Sequence, residues 1–395
     1  MIQKKLLMLN SSIHDVPLIL EARKLGYYVI TTSNKPDYPG HSFANEYINC
    51  NYMDYDALVK LCKENDISAV SCGTSDNASY AAAYLGEYFG WKGHDNLETL
   101  KTLHFKDKFK QFTKNLGIKA PISKAYFSEA SAIFDSRLHK FPVIIKPVDC
   151  AGGQGISVAN NIDEYEIAIH NAFEVSKQKR IIVETYLVGT QHSFISFIVD
   201  QKVTNYCSWD DLPYPGRFMI SKGAVPASYP NPEYVNLVLI QEIEKIAKAL
   251  KLVDGLFHLQ CIVQNGEPYI IEVMRRTPGN WDTYMTTNAS GINWDQWIIM
   301  AESGMDCHGI PKMRKTEGFW GYYMILGSKN GRVKDIVIDN KIKKNIWRMS
   351  LWKPIGHIIN DYQNDKLGLV HLWFNTRDEM NNKMKHIDDL IAVVY

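Results

Sequence analysis

The sequence predicts a mixed α/β and α+β fold. An N-terminal Rossmann-like domain with a parallel sheet comes first, then a larger two-lobed region, then a C-terminal α+β piece. Three observations lead there. Roughly the first ninety residues alternate apolar runs with amphipathic stretches, the βαβα order of a parallel sheet. The middle of the chain departs from that order and runs strand, loop, strand, helix and hairpin. The length of 395 residues suits two or three domains. The boundaries are placed at 1–95, 96–302 (lobes near 96–185 and 186–302) and 303–395.

Each element has a local reason. LLMLN reads as a strand and VPLILEARKLG as a helix ended by Gly26. YYVITTS and ISAVSCG are strands; DYDALVKLCKEND and NASYAAAYLGEYFG are helices. Ligands of such a sheet gather at the carboxyl ends of its strands, here Asn10, Ser33 and the run from Gly73 to Asp76. LETLKTLHFKDKFKQFTKNLG is helical and is closed by Gly117 and Pro121. FPVIIKPVDCAGGQGISV reads as strand, glycine-rich loop and strand. DEYEIAIHNAFEVSK is a helix opened by Asp163, with Glu166 completing a capping box. RIIVETYLVG is a buried strand, and HSFISFIVDQKVTNYCSW gives two strands around a D-Q turn. VNLVLIQEIEKIAKALKL has helical spacing, and FHLQCIVQNGEPYIIEVMRR is a hairpin around N-G.

Composition narrows the function classes. The chain is 46% hydrophobic and 22% charged, and its net charge of +1 gives no bulk field for nucleic acid or a membrane surface. The longest apolar runs fall far short of the roughly 20 residues of a membrane span. The start, MIQKKLLMLNSS, lacks a long apolar core and a cleavage site, so it reads as a first strand rather than a signal peptide. Seven cysteines without C-x-x-C spacing fit reduced thiols, a cytoplasmic setting and no zinc framework.

The chemistry concentrates in two places. Lys146 ends an apolar strand, and Gly152, Gly153 and Gly155 follow it. A fixed positive charge then stands beside backbone N–H groups that approach an anion closely. This is neither a P-loop, which needs G-x-x-x-x-G-K-[ST], nor a dinucleotide fingerprint, because the first strand runs into SSIHDVP. Lys108 precedes Lys146 by 38 residues, and Glu184 follows it by 38. The lysines suit phosphates, and Glu184 with the backbone of 185–187 suits an adenine edge. Lys108 also reads as one of several lysines on a solvated helix face, with Lys101, Lys106, Lys110 and Lys114.

The second place is the hairpin. A two-residue N-G turn would set Gln260 opposite Ile271, with Glu272 facing away. A three-residue loop with a bulge at Gly266 would set Gln260 opposite Glu272. His258, Gln260, Glu272, Met274 and Arg276 would then share one face. A carboxylate beside an amide oxygen suits Mg²⁺, and Arg276 could clamp an anion bidentately. RTPGN, which includes Arg276, reads as a backbone anion cradle. Arg217 and Lys222, in a loop rich in Pro and Gly, are candidates for binding a substrate carboxylate.

Together these features resemble the ATP-grasp superfamily of ADP-forming ligases, of the carboxylate–amine type. The resemblance rests on Asp107–Lys108, on Lys146 with its glycine-rich loop, on IIVETYL, and on the hairpin ending in E-x-M-x-R. It implies ATP and Mg²⁺ as cofactors. Lys108 and Lys146 would contact phosphates, with the loop from Gly152, Gly153 and Gly155 to Ser157 closing over them. Glu184, Tyr186 and Leu187 would hold adenine, and Gln191 or His192 the ribose. Gln260 and Glu272 would hold the metal, and Arg276 and Lys146 would act in catalysis. The partners implied are a small-molecule carboxylate and an amine, with a homodimer compatible and no nucleic acid or membrane.

Two positions depart from the family pattern. Gln260 stands where a carboxylate is usual, and Met274 where an asparagine is usual; Asp282 is a substitute ligand candidate. Three activities follow in order. They are a carboxylate–amine ligase, a carboxylase or purine-pathway enzyme of the same fold, and an ATP-binding protein without catalysis.

Overall fold

The computed structural model describes residues 3–150, 152–214, 221–314, 316–362 and 364–395. Near the N-terminus, β1 (Lys5–Leu9), β2 (Tyr28–Ser33), β3 (Glu46–Asn49) and β4 (Ile67–Ser71) form a parallel sheet in the order β3-β2-β1-β4. Helices α1 (Val16–Lys24), α2 (Tyr55–Glu64) and α3 (Asp76–Phe89) connect and cover it. In β1, Leu6–Leu9 are fully buried, as expected of a central parallel strand. Strand β3 is an addition to the sequence reading. It is a short edge strand with no buried residue, so it carries no hydrophobic signal.

The helical stretch that follows is two helices, α4 (Leu97–His104) and α5 (Lys106–Asn115). Phe105 between them is extended, with φ −76° and ψ 119°. Next, β5 (Ser123–Tyr126), α6 (Glu129–Phe134), β6 (Val143–Pro147), β7 (Ser157–Ala159), α7 (Ile162–Val175) and β8 (Ile181–Thr185) build a small lobe. Its antiparallel sheet has the order β5-β8-β6-β7. The cap of α7 is Asn161, not Asp163. Asn161 accepts from the Glu164 N–H, and Glu164 reaches back to the Asn160 N–H at 2.9 Å.

The large sheet has eight strands. β9 (Thr190–Val199), β10 (Lys202–Pro213), β11 (Ser221–Pro226), β12 (Gly255–Gln264), β13 (Glu267–Met274) and β14 (Phe319–Leu326) order as β13-β12-β9-β10-β11-β14. Strands 366–374 and 346–351 then continue the sheet beyond β14, so the C-terminal piece extends the second lobe's own sheet. Helix α8 (Pro232–Leu250) buries Val235, Leu239, Ile243 and Ile246 against Phe194, Phe257 and Leu259. That stripe has the spacing of one helix face. Helices α9 (Asp282–Ser290) and α10 (Trp294–Glu302) pack on the other side and carry α1 with them. Among the described residues no helix is long and apolar enough to cross a membrane. All seven cysteines are free.

Candidate functional site

A pocket of about 110 Å³ lies at the hinge between the two lobes, lined by Lys146, Glu184, Tyr186, Leu187 and Gln191, with Ile144 and Ile271 among its apolar walls. Glu184 is buried, and Lys146 reaches it at 2.7 Å. Lys110 approaches the other Glu184 oxygen at 3.4 Å and donates to the Ile270 carbonyl at 3.1 Å. The sequence reading placed Lys110 on a solvated face; its side chain is 3% exposed. Burial pulls the Lys110 ammonium down to about 8, against the pull of Glu184. For Glu184 burial works upward, but Lys110 and Lys146 prevail and hold it below the usual carboxylate range.

The Tyr186 N–H is bonded to the Pro142 carbonyl at 3.3 Å, so its N–H is turned away from a ligand. Gln191 faces the pocket, as expected. His192 does not. Alternation along β9 turns it to the opposite face, where Nδ1 meets Asp210 at 2.8 Å and the ring packs on Tyr229.

A second cleft, of about 890 Å³, opens between the carboxyl ends of the parallel sheet, the glycine-rich loop and the hairpin. Asn10 and the Thr74–Asn77 run line it, as the strand-end rule predicts; Ser33 does not. Lys106 lies in this cleft, 4.0 Å from Glu272, and donates to the Cys150 carbonyl at 2.8 Å. Lys108 points elsewhere. It is 40% exposed and lies 3.9 Å from Glu98 on the outer face. Its neighbour Asp107 pairs with Arg180 at 2.6 Å, ahead of β8.

Gly152, Gly153 and Gly155 have φ of 64°, 73° and 69°, the left-handed backbone that glycine tolerates best. Gly152 lines the cleft, and a Cβ on Gly155 would meet Pro147 at 2.7 Å. Ser157 starts β7 and pairs with Ile145. The loop is anchored by Asp149, which accepts from Ser176 Oγ at 2.9 Å and Gln178 N at 2.7 Å. Burial and Asp149 push the Cys150 thiol upward, which disfavours a thiolate nucleophile there.

The hairpin reconciles the two registers in an unforeseen way. Asn265 and Gly266 form a two-residue turn with φ of 54° and 77°. A bulge at the Gln260–Cys261 step then skips Ile271 and sets Gln260 opposite Glu272. The Gln260 Oε1 atom is buried and has no partner. An orphaned amide oxygen facing a carboxylate fits Mg²⁺ with phosphate and water completing its shell. Among the described residues no group of three or more His, Cys, Asp or Glu is placed to hold a metal ion. Asp282 does not line the cleft. It stands beside Asp211 and Tyr322, and burial, with Asp211 next, pushes it up to about 8.

The two arginines at the end of β13 diverge. Arg275 is structural: its Nε meets buried Asp95 at 2.6 Å, and Nη2 donates to the Val253 carbonyl at 2.8 Å. Arg276 faces the cleft and forks onto Asp76 at 2.6 and 3.4 Å. Burial works upward on Asp76, but Arg276 and the other groups around it, Lys106 among them, together outweigh it and hold it at about 2. RTPGN is a docking segment rather than an anion cradle. Thr277 N donates to Gly73 O at 3.2 Å and Asn280 N to His14 Nδ1 at 3.2 Å. Lys222 is tied to Asp388, away from the cleft, and Arg217 lies outside the described residues.

Residues 105–280, which span the small lobe, the hinge and the hairpin, match the family model described as ATP-grasp domain. The chain carries an ATP-grasp domain. Solved structures align along nearly all of the chain. An L-amino acid ligase from Bacillus licheniformis superposes with a TM-score of 0.82 at 18% identity, covering 99% of this chain and 98% of that one. A phosphoribosylglycinamide synthetase from Anaerococcus prevotii gives 0.79 at 20% identity and 99% of each chain. In sequence, the carbamoyl phosphate synthase large chain of Clostridium beijerinckii is 23% identical over 278 residues, 67% of this chain. The chain spans only 25% of that relative's length.

Proposed function

We propose that this protein is an ATP-dependent, ADP-forming ligase that activates a small-molecule carboxylate as an acyl phosphate and joins it to an amine. The observation that carries the reading is the line of charged groups from hinge to cleft. Lys146 and Glu184 stand at the hinge pocket, and Lys106, Glu272 and Arg276 in the cleft beside the glycine-rich loop. That order matches a nucleotide laid with its base at the hinge and its phosphates toward the acceptor.

Each residue then has a task. Glu184, held by two lysines, and the Leu187 backbone orient the base, and Gln191 faces the ribose. Lys146 and Lys106 neutralise phosphate oxygens; Lys106 takes the place that the sequence reading gave to Lys108. Glu272 and Gln260 would hold Mg²⁺, which supplies charge neutralisation on the phosphates when bound. The acid's oxygen attacks the γ-phosphorus, ADP leaves, and the amine then displaces phosphate from the acyl carbon. Arg276 stabilises charge on the transferring group, and its Asp76 partner holds the fork in place before substrate arrives. The protein contributes position and field; the leaving group is intrinsic to ATP.

The likeness to an L-amino acid ligase supports an amine acceptor. The likeness to the biotin carboxylase domain of Hydrogenobacter thermophilus 2-oxoglutarate carboxylase, solved with MgADP and bicarbonate, supports a carboxylase as the second reading. Phosphate release from Mg-ATP with a panel of acids, with and without amines, separates the two. Release that needs both an acid and an amine is expected. Release that needs bicarbonate instead would favour a carboxylase, and no stimulation by any acid would end the ligase reading.

A further inference from the structure

One side chain in the wall of the large cleft has an incomplete set of hydrogen bonds. His104 is the last residue of α4 and lines the cleft, its ring centre 5.6 Å from that of Tyr80. Its Nε2 faces the backbone N–H of Arg275 at 3.1 Å. A backbone N–H can only donate, so this ring nitrogen carries no proton. Burial holds the imidazole down at about 4, so the ring is neutral and its proton sits on Nδ1. That Nδ1–H is buried and has no partner. Buried donors without an acceptor are rare in folded proteins.

The charged groups around the ring do not fill the gap. Asp76, Arg276, Asp95 and Glu272 all act on it electrostatically. Both oxygens of Asp76 are engaged by Arg276, and Asp95 is engaged by Arg275 and by Val253 N. Glu272, 4.0 Å from Lys106, does not bond the ring either, and an acceptor entering the cleft that His104 lines would complete its set. An oxygen placed there would share its surroundings with Arg276 and with the Lys106–Glu272 pair, where the phosphoryl group is placed above.

We propose that the His104 Nδ1–H contacts the acid substrate, donating to a carboxylate oxygen and keeping that bond in the acyl phosphate. The proposal rests on the ligase reading. In the first step a carboxylate oxygen forms a bond to the γ-phosphorus. The bond from that phosphorus to the bridging oxygen breaks, and its electron pair leaves with ADP. No proton moves, so a neutral donor serves the reactant and the product alike.

The test uses the full chain labelled with ¹⁵N-histidine, saturated with MgADP and titrated with acetyl phosphate as the acyl phosphate probe. His104 is assigned by its loss in His104→Phe. At pH 7 its free-state signals should report the Nδ1–H tautomer, and that proton should shift on titration. His104→Phe should weaken acetyl phosphate about tenfold, the cost of one hydrogen bond to a charged group. His104→Asn, which keeps a donor near the Nδ1 position, should recover most of that loss. MgADP affinity should stay within about twofold in both variants. Failure of MgADP to bind the native chain would overturn the ligase reading and this proposal together. MgADP binding with an unmoved His104 signal, or with the Nε2–H tautomer, would overturn this proposal alone. Should His104→Phe not fold, the native titration and His104→Asn still decide.

Discussion

Lys106 and Lys108 sit two residues apart at the start of α5, and helix geometry sets them about 200° apart around its axis. One therefore faces the cleft and the other solvent. In sequence the two are hard to rank, because both flank Asp107 in a lysine-rich stretch. Lys106→Ala should lower ADP formation about a hundredfold, the usual cost of one electrostatic contact to the transferring group. Lys108→Ala should change it by less than about threefold, as a screened surface charge. Steady-state ADP release on the two variants checks this; equal losses would count against the placement of Lys106. Asp282 gives a second residue-level expectation. Its carboxyl titrates near 8 in the fold, chiefly through burial, against 3.8 as its ordinary value. Between those values the folded state holds a proton that the unfolded state has lost, so stability falls as pH rises. Asp282→Asn should flatten this slope. Urea midpoints at pH 6 and pH 8.5 should move less in the variant than in the native chain.

At the scale of elements, the strands and helices were legible wherever burial wrote a period into the sequence. The face shared by Gln260 and Glu272 was also foreseen, as one of two registers, but not the device that produces it. The N-G turn is tight, as its residue types dictate, and a bulge opposite Cys261 restores the pairing. A bulge has no compositional mark in YIIEV, because packing against neighbouring strands sets it. The break at Phe105 and the inward turn of Lys110 were illegible for a similar reason. Both depend on what α5 meets in three dimensions, β8 and the Ile270 carbonyl, and not on the helix's own pattern. The glycine-rich loop was legible because left-handed backbone demands glycine. Gly155→Ala forces a Cβ against Pro147 at a φ of 69°, so it should destabilise the loop by about 1 kcal/mol or more. The effect should appear as a raised KM for ATP with a small shift in melting temperature. A large melting shift with unchanged KM would show the loop to be a structural turn instead.

At the scale of the whole molecule, neighbouring arginines fasten the hairpin to the N-terminal part in two different ways. Arg275 closes on Asp95 in a buried pair, 5% and 3% exposed, whereas Arg276 closes on Asp76 at the edge of the cleft. Removing Asp95 leaves a buried guanidinium without its counter-charge, a change that costs about 3–5 kcal/mol. Asp95→Ala should therefore lower the urea midpoint strongly, and a near-native midpoint would mean that the hairpin and the N-terminal sheet are held together by other contacts. Ligand linkage separates this fastening role from nucleotide binding. MgATP at about a hundred times its Kd should stabilise the native chain by about 2.7 kcal/mol, because it binds only the folded state. That increment should survive in Asp95→Ala, which removes the fastening ion pair, and in Arg276→Ala, whose contacts lie toward the transferring group and the acceptor. It should shrink sharply in Lys146→Met, since this lysine faces the hinge pocket and holds Glu184. Arg276→Ala should nonetheless lose turnover. If that variant loses the MgATP increment as well, Arg276 belongs to nucleotide binding and not to the phosphoryl-transfer step.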